Sequence, residues 1–120
     1  VSLNLICGSL FEPVKGRRFD LVVSNPPYIP AVDLAGLQPE VRDYEPREAL
    51  DGGSDGLDYY RRIIPDAAAH LNTGGWLLME MGIGQARDVL ELLEKSAGFA
   101  EVFTAMDPGG IERVAGGRAR

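Results

Sequence analysis

The sequence predicts an α/β protein whose strands form a mostly parallel sheet with an antiparallel last strand. Short apolar runs of strand length alternate along the chain with two longer segments whose apolar residues recur at helical spacing. Turns rich in glycine and proline separate these segments. Strands that alternate with helices favour a parallel sheet, because each helix returns the chain to the end where the next strand begins.

The N-terminal part contains two predicted strands. Val1, Leu3 and Leu5 alternate with polar residues, which predicts a strand that ends near a buried Cys7. Phe19–Ser24 is a short apolar run, and such a run is typical of a parallel strand covered on both faces.

A long loop and a helix are predicted next. Residues 30–53 are polar and contain three prolines, and a loop of this length is usually a functional loop or a lid. Asp55 suits the N-cap of the predicted helix. We expect Pro65 to kink this helix and Gly74-Gly75 to end it. The predicted inward face of this helix consists of Leu57, Tyr60, Ile64, Ala67 and Leu71.

The C-terminal part predicts three more strands and one more helix. A turn over residues 107–110 returns the last strand antiparallel to its predecessor. Ala86, Val89, Leu92 and Leu93 form the inward face of the helix. The predicted strands cover residues 76–81, 101–106 and 112–115, and the helix covers residues 84–95 with Gly98 as its C-terminal cap.

Composition excludes several classes of protein. The chain has 120 residues, and 12 Lys and Arg against 18 Asp and Glu give a net charge of −6, which argues against sequence-independent binding of nucleic acid. The lone Cys7 excludes a disulfide scaffold and a cysteine zinc site, and no metal site is expected. No apolar run approaches the roughly 20 residues of a membrane helix, and no signal peptide is evident. We therefore expect a cytoplasmic protein that does not bind membranes.

The segment Asn25-Pro26-Pro27-Tyr28 carries the strongest chemical signal. The double proline forms a stiff arm, because each ring fixes φ and the second ring keeps the first residue extended. The side-chain oxygen of Asn25 and the carbonyl of Pro26 are therefore two neighbouring acceptors, suited to a planar NH₂ group. Tyr28 adds a flat face or a hydroxyl.

Such an arrangement would assist chemistry at an amide or aromatic amine nitrogen. That nitrogen is a poor nucleophile because its lone pair is delocalised. Hydrogen bonds from both of its N–H groups would orient the lone pair through preorganised electrostatics. The alternative is a rigid exit loop with no chemistry, and the residues alone leave both interpretations open.

Ser24-Asn25-Pro26-Pro27-Tyr28 resembles the signature of S-adenosylmethionine-dependent amino-methyltransferases, which act on adenine, cytosine or glutamine side chains. Later motifs resemble one branch, the release-factor glutamine-N5 methyltransferases, over essentially the whole chain. These motifs are Tyr28-Ile29-Pro30, Val41, Glu45-Pro46 with Ala49-Leu50, Gly52-Gly53, Asp55-Gly56-Leu57, Tyr60-Arg61, Gly74-Gly75, Glu80-Met81-Gly82 with Gln85, Asp107, Arg113-Val114 and Gly117-Arg118.

The resemblance implies a Rossmann-like class I methyltransferase sheet of seven strands with a glycine-rich cofactor loop after its first strand. No glycine cluster of this sequence occupies an early strand–helix junction. We therefore expect residues 1–120 to be a partial catalytic domain, its C-terminal half, with the N-terminal strands missing.

The resemblance also implies the reaction and its residues. The cofactor would be S-adenosylmethionine, and the substrate would be the glutamine of a Gly-Gly-Gln loop in a peptide chain release factor, with nucleic acid involved only indirectly. Asn25 and Pro26 would be catalytic, and with Pro27 and Tyr28 they would bind the substrate.

Cofactor binding is implied for Ser9, Leu10 and Asn25. Ser9-Leu10-Phe11 occupies the position of the family's Asp-(Leu/Trp)-Phe, beside the adenine of the cofactor, so Ser9 replaces an acid. We expect Glu80 to hold a loop or cap a helix without being catalytic.

Two other functions are compatible with the sequence. One is an amino-methyltransferase acting on a nucleic-acid base, and the other is an inactive fragment that only binds a partner. The net charge and the Glu45-Pro46 segment disfavour the first, whereas the absent glycine-rich loop favours the second for the isolated chain.

Overall fold

The structure is a computed structural model that describes residues 2–36, 46 and 49–120, with only the backbone of Ala35. Its main elements are one four-stranded sheet and two helices packed against the same face of that sheet. In chain order these are β1 (Phe19–Ser24), α1 (Asp58–Ala69), β2 (Leu71–Glu80), α2 (Ala86–Lys95), β3 (Phe99–Met106) and β4 (Glu112–Ala119).

The strand order across the sheet is β1-β2-β4-β3. β1 runs parallel to β2, and β4 runs antiparallel to both β2 and β3. Three strands therefore point in one direction and the last points in the other, as predicted. Because β1 and β2 are parallel, their carboxyl ends lie side by side, and this is the edge where α/β sheets bind ligands.

The pairing of β1 with β2 contains an irregularity. Phe19 pairs with Leu71, and Leu21 pairs with Trp76, so β2 accommodates three extra residues between the two pairs. Gly74 lies in this stretch at a φ of 80°, which favours glycine. The prediction that Gly74-Gly75 separates the helix from the strand is therefore wrong, because the glycines form a bulge inside β2.

The core lies between the sheet and the two helices. All five predicted inward residues of the first helical segment are buried, although Leu71 belongs to β2 rather than to α1. α2 contributes Val89 and Leu93 fully buried, with Ala86 and Leu92 partly buried against them. The sheet contributes Leu77, Met79 and Ala115.

The helix boundaries differ slightly from those predicted. α1 begins at Asp58, and its N-cap position is Leu57. The side chain of Asp55 instead accepts a hydrogen bond from the Leu57 N–H at 3.0 Å, so it caps the turn that precedes the helix. α1 continues through Pro65. α2 ends at Lys95 with Ser96 at its C-cap, so Gly98 does not cap it as predicted.

The predicted strand at the N-terminus is absent. Residues 2–7 have no regular secondary structure, and Leu3 and Leu5 are 82% and 90% exposed. Cys7 is also exposed, contrary to the prediction. A strand needs a hydrogen-bonded neighbour, and none of the described strands pairs with this segment.

Full burial was also wrongly predicted for β1. β1 is an edge strand, with Leu21 53% and Val23 68% exposed on the face away from the helices. Alternation of exposed and partly buried residues shows that, within the described chain, only one face of β1 is covered.

The predicted loop over residues 30–53 is described in part. It begins with a short 3-10 helix over Ala31–Gly36. The predictions for Val41 and Glu45 lie outside the described residues. No described helix is both long enough and apolar enough to span a lipid bilayer.

Candidate active site

Asn25-Pro26-Pro27-Tyr28 follows the last residue of β1 and lines a cavity of about 340 Å³. Pro26 is buried, whereas Asn25 is exposed. Ile29, Ala49 and Leu50 complete the lining. The stiff double proline therefore presents its polar neighbour at the carboxyl edge of the sheet, where the sequence predicted a site.

A second backbone segment is paired with the end of this motif. The Ile29 N–H donates to the carbonyl of Leu50 at 3.1 Å, and the Gly52 N–H donates to the carbonyl of Ile29 at 2.8 Å. Ile29 and Asp51 form an isolated parallel bridge. These hydrogen bonds hold residues 49–52 beside the motif, so that Ala49 and Leu50 form one wall of the cavity.

Tyr28 connects the motif to β2. Its hydroxyl donates to Oε1 of Glu80 at 3.2 Å, and the same oxygen lies 3.7 Å from Nη2 of Arg113. Burial raises the pKa of Tyr28, and the nearby Glu80 carboxylate raises it further. Glu80 is thus an ordered residue at a strand end, as predicted.

Tyr60 supports the same strand end from α1. Its hydroxyl donates to the backbone carbonyl of Glu80 at 2.7 Å, and its side chain is fully buried. Burial raises the pKa of Tyr60 well above its ordinary value. Both hydroxyls are therefore protonated donors at neutral pH, and neither is a candidate base.

The polar groups that the motif offers to a substrate are uncharged hydrogen-bond acceptors. The seven residues lining the cavity in the described chain include no cationic side chain. No group of three or more His, Cys, Asp or Glu is placed to hold a metal ion within residues 2–36, 46 and 49–120. The side chain of Asn25 and the carbonyl of Pro26 remain the groups suited to an NH₂ donor.

Ser9 and Leu10 lie elsewhere. They line a different cavity of about 260 Å³, together with Phe11, Lys15 and His70 among others. The ring of Phe11 stacks on that of His70 with centroids 4.7 Å apart. The structure therefore brings Asn25, Pro26, Pro27 and Tyr28 together but does not bring Ser9 and Leu10 to them.

Sequence reasoning assigned no role to Arg113 or Gln85. Arg113 lies on β4 and reaches the site because β4 is inserted next to β2. Gln85 precedes α2, and its amide contacts the backbone of Tyr28. The only sequence signal for either was its place among the motifs of the resemblance.

The chain is similar over almost its whole length to proteins named release factor glutamine methyltransferase. The protein of that name from Geobacter sulfurreducens is 64% identical over 116 residues, which are 97% of this chain and 40% of the relative. That from Gloeobacter violaceus is 49% identical, over 93% of this chain and 39% of the relative. The chain thus spans about two fifths of the length of these curated relatives. No family model matches the chain.

Solved structures agree with these relatives. The protein-(glutamine-N5) methyltransferase (release factor-specific) from Alicyclobacillus acidocaldarius superposes with a TM-score of 0.56 at 29% identity. The match covers 88% of this chain and 52% of that one. A methyltransferase from Pyrococcus furiosus superposes with a TM-score of 0.53 at 17% identity over 85% of this chain and 41% of that one, a likeness of fold alone.

The comparisons confirm the predicted resemblance. They also confirm the predicted Rossmann-like class I methyltransferase sheet, of which this chain contains a part. The same conclusion follows from the motif at the end of β1, from the strand order and from the relatives. This chain is a relative of the release factor glutamine methyltransferases and corresponds to the C-terminal part of such proteins.

Proposed function

We propose that the full-length protein, meaning the protein over the whole length of the curated relatives, methylates a release factor. It transfers the methyl group of S-adenosylmethionine to the side-chain amide nitrogen of the glutamine in a Gly-Gly-Gln loop. The observation that carries this proposal is the cavity at the carboxyl end of β1, where Asn25 and Pro26 stand side by side. The names of the relatives support the substrate. The protein would work in the cytoplasm beside its release factor.

The two acceptors would orient the amide nitrogen of the substrate for the methyl transfer. The side-chain oxygen of Asn25 and the carbonyl of Pro26 each accept a hydrogen bond from the glutamine NH₂ group. These bonds align the nitrogen lone pair for attack, and they are preorganised because the prolines fix the backbone. The methyl group would come from S-adenosylmethionine, whose sulfur would keep the electron pair of its bond to the methyl carbon, and the methylated nitrogen would lose one proton to solvent.

The lining of the cavity fits the cofactor that the family uses. S-adenosylmethionine, when bound, supplies an electrophilic methyl group on a positively charged sulfur. A wall of carbonyls, prolines and aliphatic side chains with no cation among its described residues does not repel that charge. We further propose that Asn25 contacts the cofactor, and that Ser9 and Leu10 approach its adenine.

Tyr28 and Pro27 would complete the substrate pocket. Tyr28 is held by Glu80, so its ring offers a fixed flat surface against which the glutamine side chain packs. Pro27 contributes rigidity and an apolar wall. Neither residue exchanges a proton in this scheme.

The proposal is tested with the full-length protein, S-adenosylmethionine and a purified release factor. We expect one methyl group on the glutamine of the Gly-Gly-Gln loop, located by tandem mass spectrometry, and none when that glutamine is replaced by asparagine. RNA and DNA are assayed in parallel. Methylation of a nucleic-acid base in place of the release factor would support the rival amino-methyltransferase, and no transfer to any substrate would support a protein that only binds a partner.

Asn25→Ala tests the site itself. We expect turnover to fall on the order of 10²-fold or more, because one of two preorganised hydrogen bonds is lost, with a much smaller change in cofactor affinity. Asn72→Ala is the matched control, since the exposed side chain of Asn72 donates to Asp20 and is not part of the cavity lining in the described chain. Near-normal turnover of Asn25→Ala would refute the assigned role.

A further inference from the structure

The side chain of Gln85 bridges three backbone segments around the Asn-Pro-Pro-Tyr motif. Its Nε2 donates to the carbonyl of Tyr28 at 2.8 Å and lies 3.4 Å from the carbonyl of Gly56. Its Oε1 accepts from the N–H of Gly82 at 2.8 Å. The amide therefore has one orientation, because a flip would place Nε2 against an N–H group and Oε1 against two carbonyls.

Three glycines pack closely around Tyr28. A Cβ atom at Gly52 would lie 2.8 Å from the Cα of Tyr28, and one at Gly82 would lie 2.9 Å from its ring. At Gly56, which has a φ of 82°, a Cβ would lie 2.5 Å from the carbonyl oxygen of Tyr28 and 2.7 Å from Nε2 of Gln85. The backbone of Tyr28 is thus enclosed, and its carbonyl has little room to move from the Gln85 amide.

The position of Tyr28 determines that of the two acceptors. Ser24 pairs with Met79 in the sheet, which fixes the start of the motif. Between this pair and Tyr28 the chain contains Asn25 and two prolines with fixed φ, so a displacement at Tyr28 passes to the Pro26 carbonyl with little damping.

We infer that Gln85 is a positioning residue for the methyl transfer: its amide holds the carbonyl of Tyr28 and thereby sets the geometry of Asn25 and Pro26. This inference rests on the proposed function. Gln85 is not one of the seven residues that line the cavity in the described chain, and it acts through its hydrogen bond to the backbone carbonyl of Tyr28. Loss of its donor would misalign the acceptors without removing them.

The experiment uses two variants of the full-length protein. Gln85→Met keeps the length of the side chain but has no donor, and Gln85→Glu places a carboxylate oxygen opposite two carbonyls. We expect kcat to fall about tenfold in both, since small misplacements of reacting groups have large effects on rate. The KM values for cofactor and release factor should stay within about threefold, because the binding groups remain. Rates are expressed per bound cofactor, so unfolded protein does not contribute.

Arg87→Gln is the matched control, because Arg87 is an exposed residue in the first turn of α2, two positions after Gln85, and its substitution lowers the net charge by one, as Gln85→Glu does. A wild-type kcat per bound cofactor in Gln85→Met would overturn the inference while leaving the proposed function intact. A lower fraction of protein that binds cofactor, with an unchanged kcat per bound cofactor, would also overturn the inference. Gln85 would then stabilise the fold without positioning the acceptors. A wild-type protein that methylates no release factor would refute the proposed function and, with it, this role of Gln85.

Discussion

The hydroxyl of Tyr28 donates a 3.2 Å hydrogen bond to the carboxylate of Glu80, and this bond joins the carboxyl ends of two neighbouring strands. Tyr28 lies four residues after β1, and Glu80 is the last residue of β2. Arg113, from the antiparallel strand on the other side of β2, approaches the same carboxylate. The candidate site therefore has a polar support that spans three strands of the sheet.

Tyr28→Phe should lower the stability of the full-length protein at neutral pH by about 1 kcal/mol, the usual contribution of a hydrogen bond of this kind. We expect turnover to fall less than about fivefold, because the ring and the backbone carbonyl of Tyr28 remain. Urea unfolding and the methylation assay measure the two effects. Tyr59→Phe is the control, since the hydroxyl of Tyr59 has no hydrogen-bond partner in the described chain.

The difference between wild type and Tyr28→Phe should shrink at alkaline pH. The folded protein raises the pKa of Tyr28 above its ordinary value of 10.0, chiefly through burial. The stabilisation is therefore complete below pH 10 and is lost as pH rises through the folded pKa. A stability difference that stays constant from pH 8 to pH 11 would contradict this assignment.

Asp55→Asn should remove part of the acid sensitivity of the protein. Hydrogen bonds from the Arg61 guanidinium, and then from the Leu57 N–H, lower the pKa of Asp55 from 3.8 to about 2. Because the folded pKa is depressed, the stabilisation is present above the unfolded value and disappears as pH falls through the folded one. The thermal midpoint should therefore fall less steeply between pH 4 and pH 2 in the variant. Asp66→Asn on α1, the helix that carries Arg61, removes no partner of Arg61 and is the control for this effect.

Ser9→Asp should tighten S-adenosylmethionine binding by about 1 kcal/mol in the full-length protein. A carboxylate accepts a hydrogen bond from the adenine amine more strongly than a hydroxyl does. Calorimetric titration measures this change, and Ser54→Asp adds the same charge at an exposed position that does not line the cavity of Ser9. Unchanged or weaker binding would mean that Ser9 stays in the cavity with Phe11 and His70, apart from the cofactor.

The chain of 120 residues on its own should self-associate and show no measurable methyltransferase activity. Leu21 and Val23 are exposed on an edge strand, and such a surface pairs readily with other chains. Light scattering after size exclusion should detect the association, and Val23→Lys should reduce it whereas Thr73→Lys should not. A monodisperse chain that binds S-adenosylmethionine at micromolar concentration would refute this prediction.

Local patterns predicted most elements, because helix periodicity and apolar runs depend on nearby residues. The strand Phe19–Ser24 was predicted with its observed bounds, and all five inward residues of the first helical segment are buried. The absent strand at residues 2–7 depended on a partner that no local pattern reveals. The glycines at 74 and 75 signalled a break, but pairing with β1 kept them inside a strand.

The candidate site was only partly predictable for the same reason. Asn25, Pro26, Pro27 and Tyr28 are contiguous, so their chemistry could be recognised from the sequence. Gln85 lies 57 residues from its partner Tyr28, and its role depends on how β2 packs beside β1. Contacts of that kind require the three-dimensional arrangement of the strands.

The insertion of β4 between β2 and β3 has a consequence for biosynthesis. β2 and β3 are not neighbours, so β3 gains its partner in the described sheet, and β2 gains a second partner besides β1, only when β4 arrives. During translation β4 leaves the ribosome after both of them, and until then β3 has no strand to pair with among those described here. The nascent chain therefore passes through a stage in which the two strand edges that β4 later covers, one on β2 and one on β3, are unpaired, and at this stage a chaperone would bind it most readily.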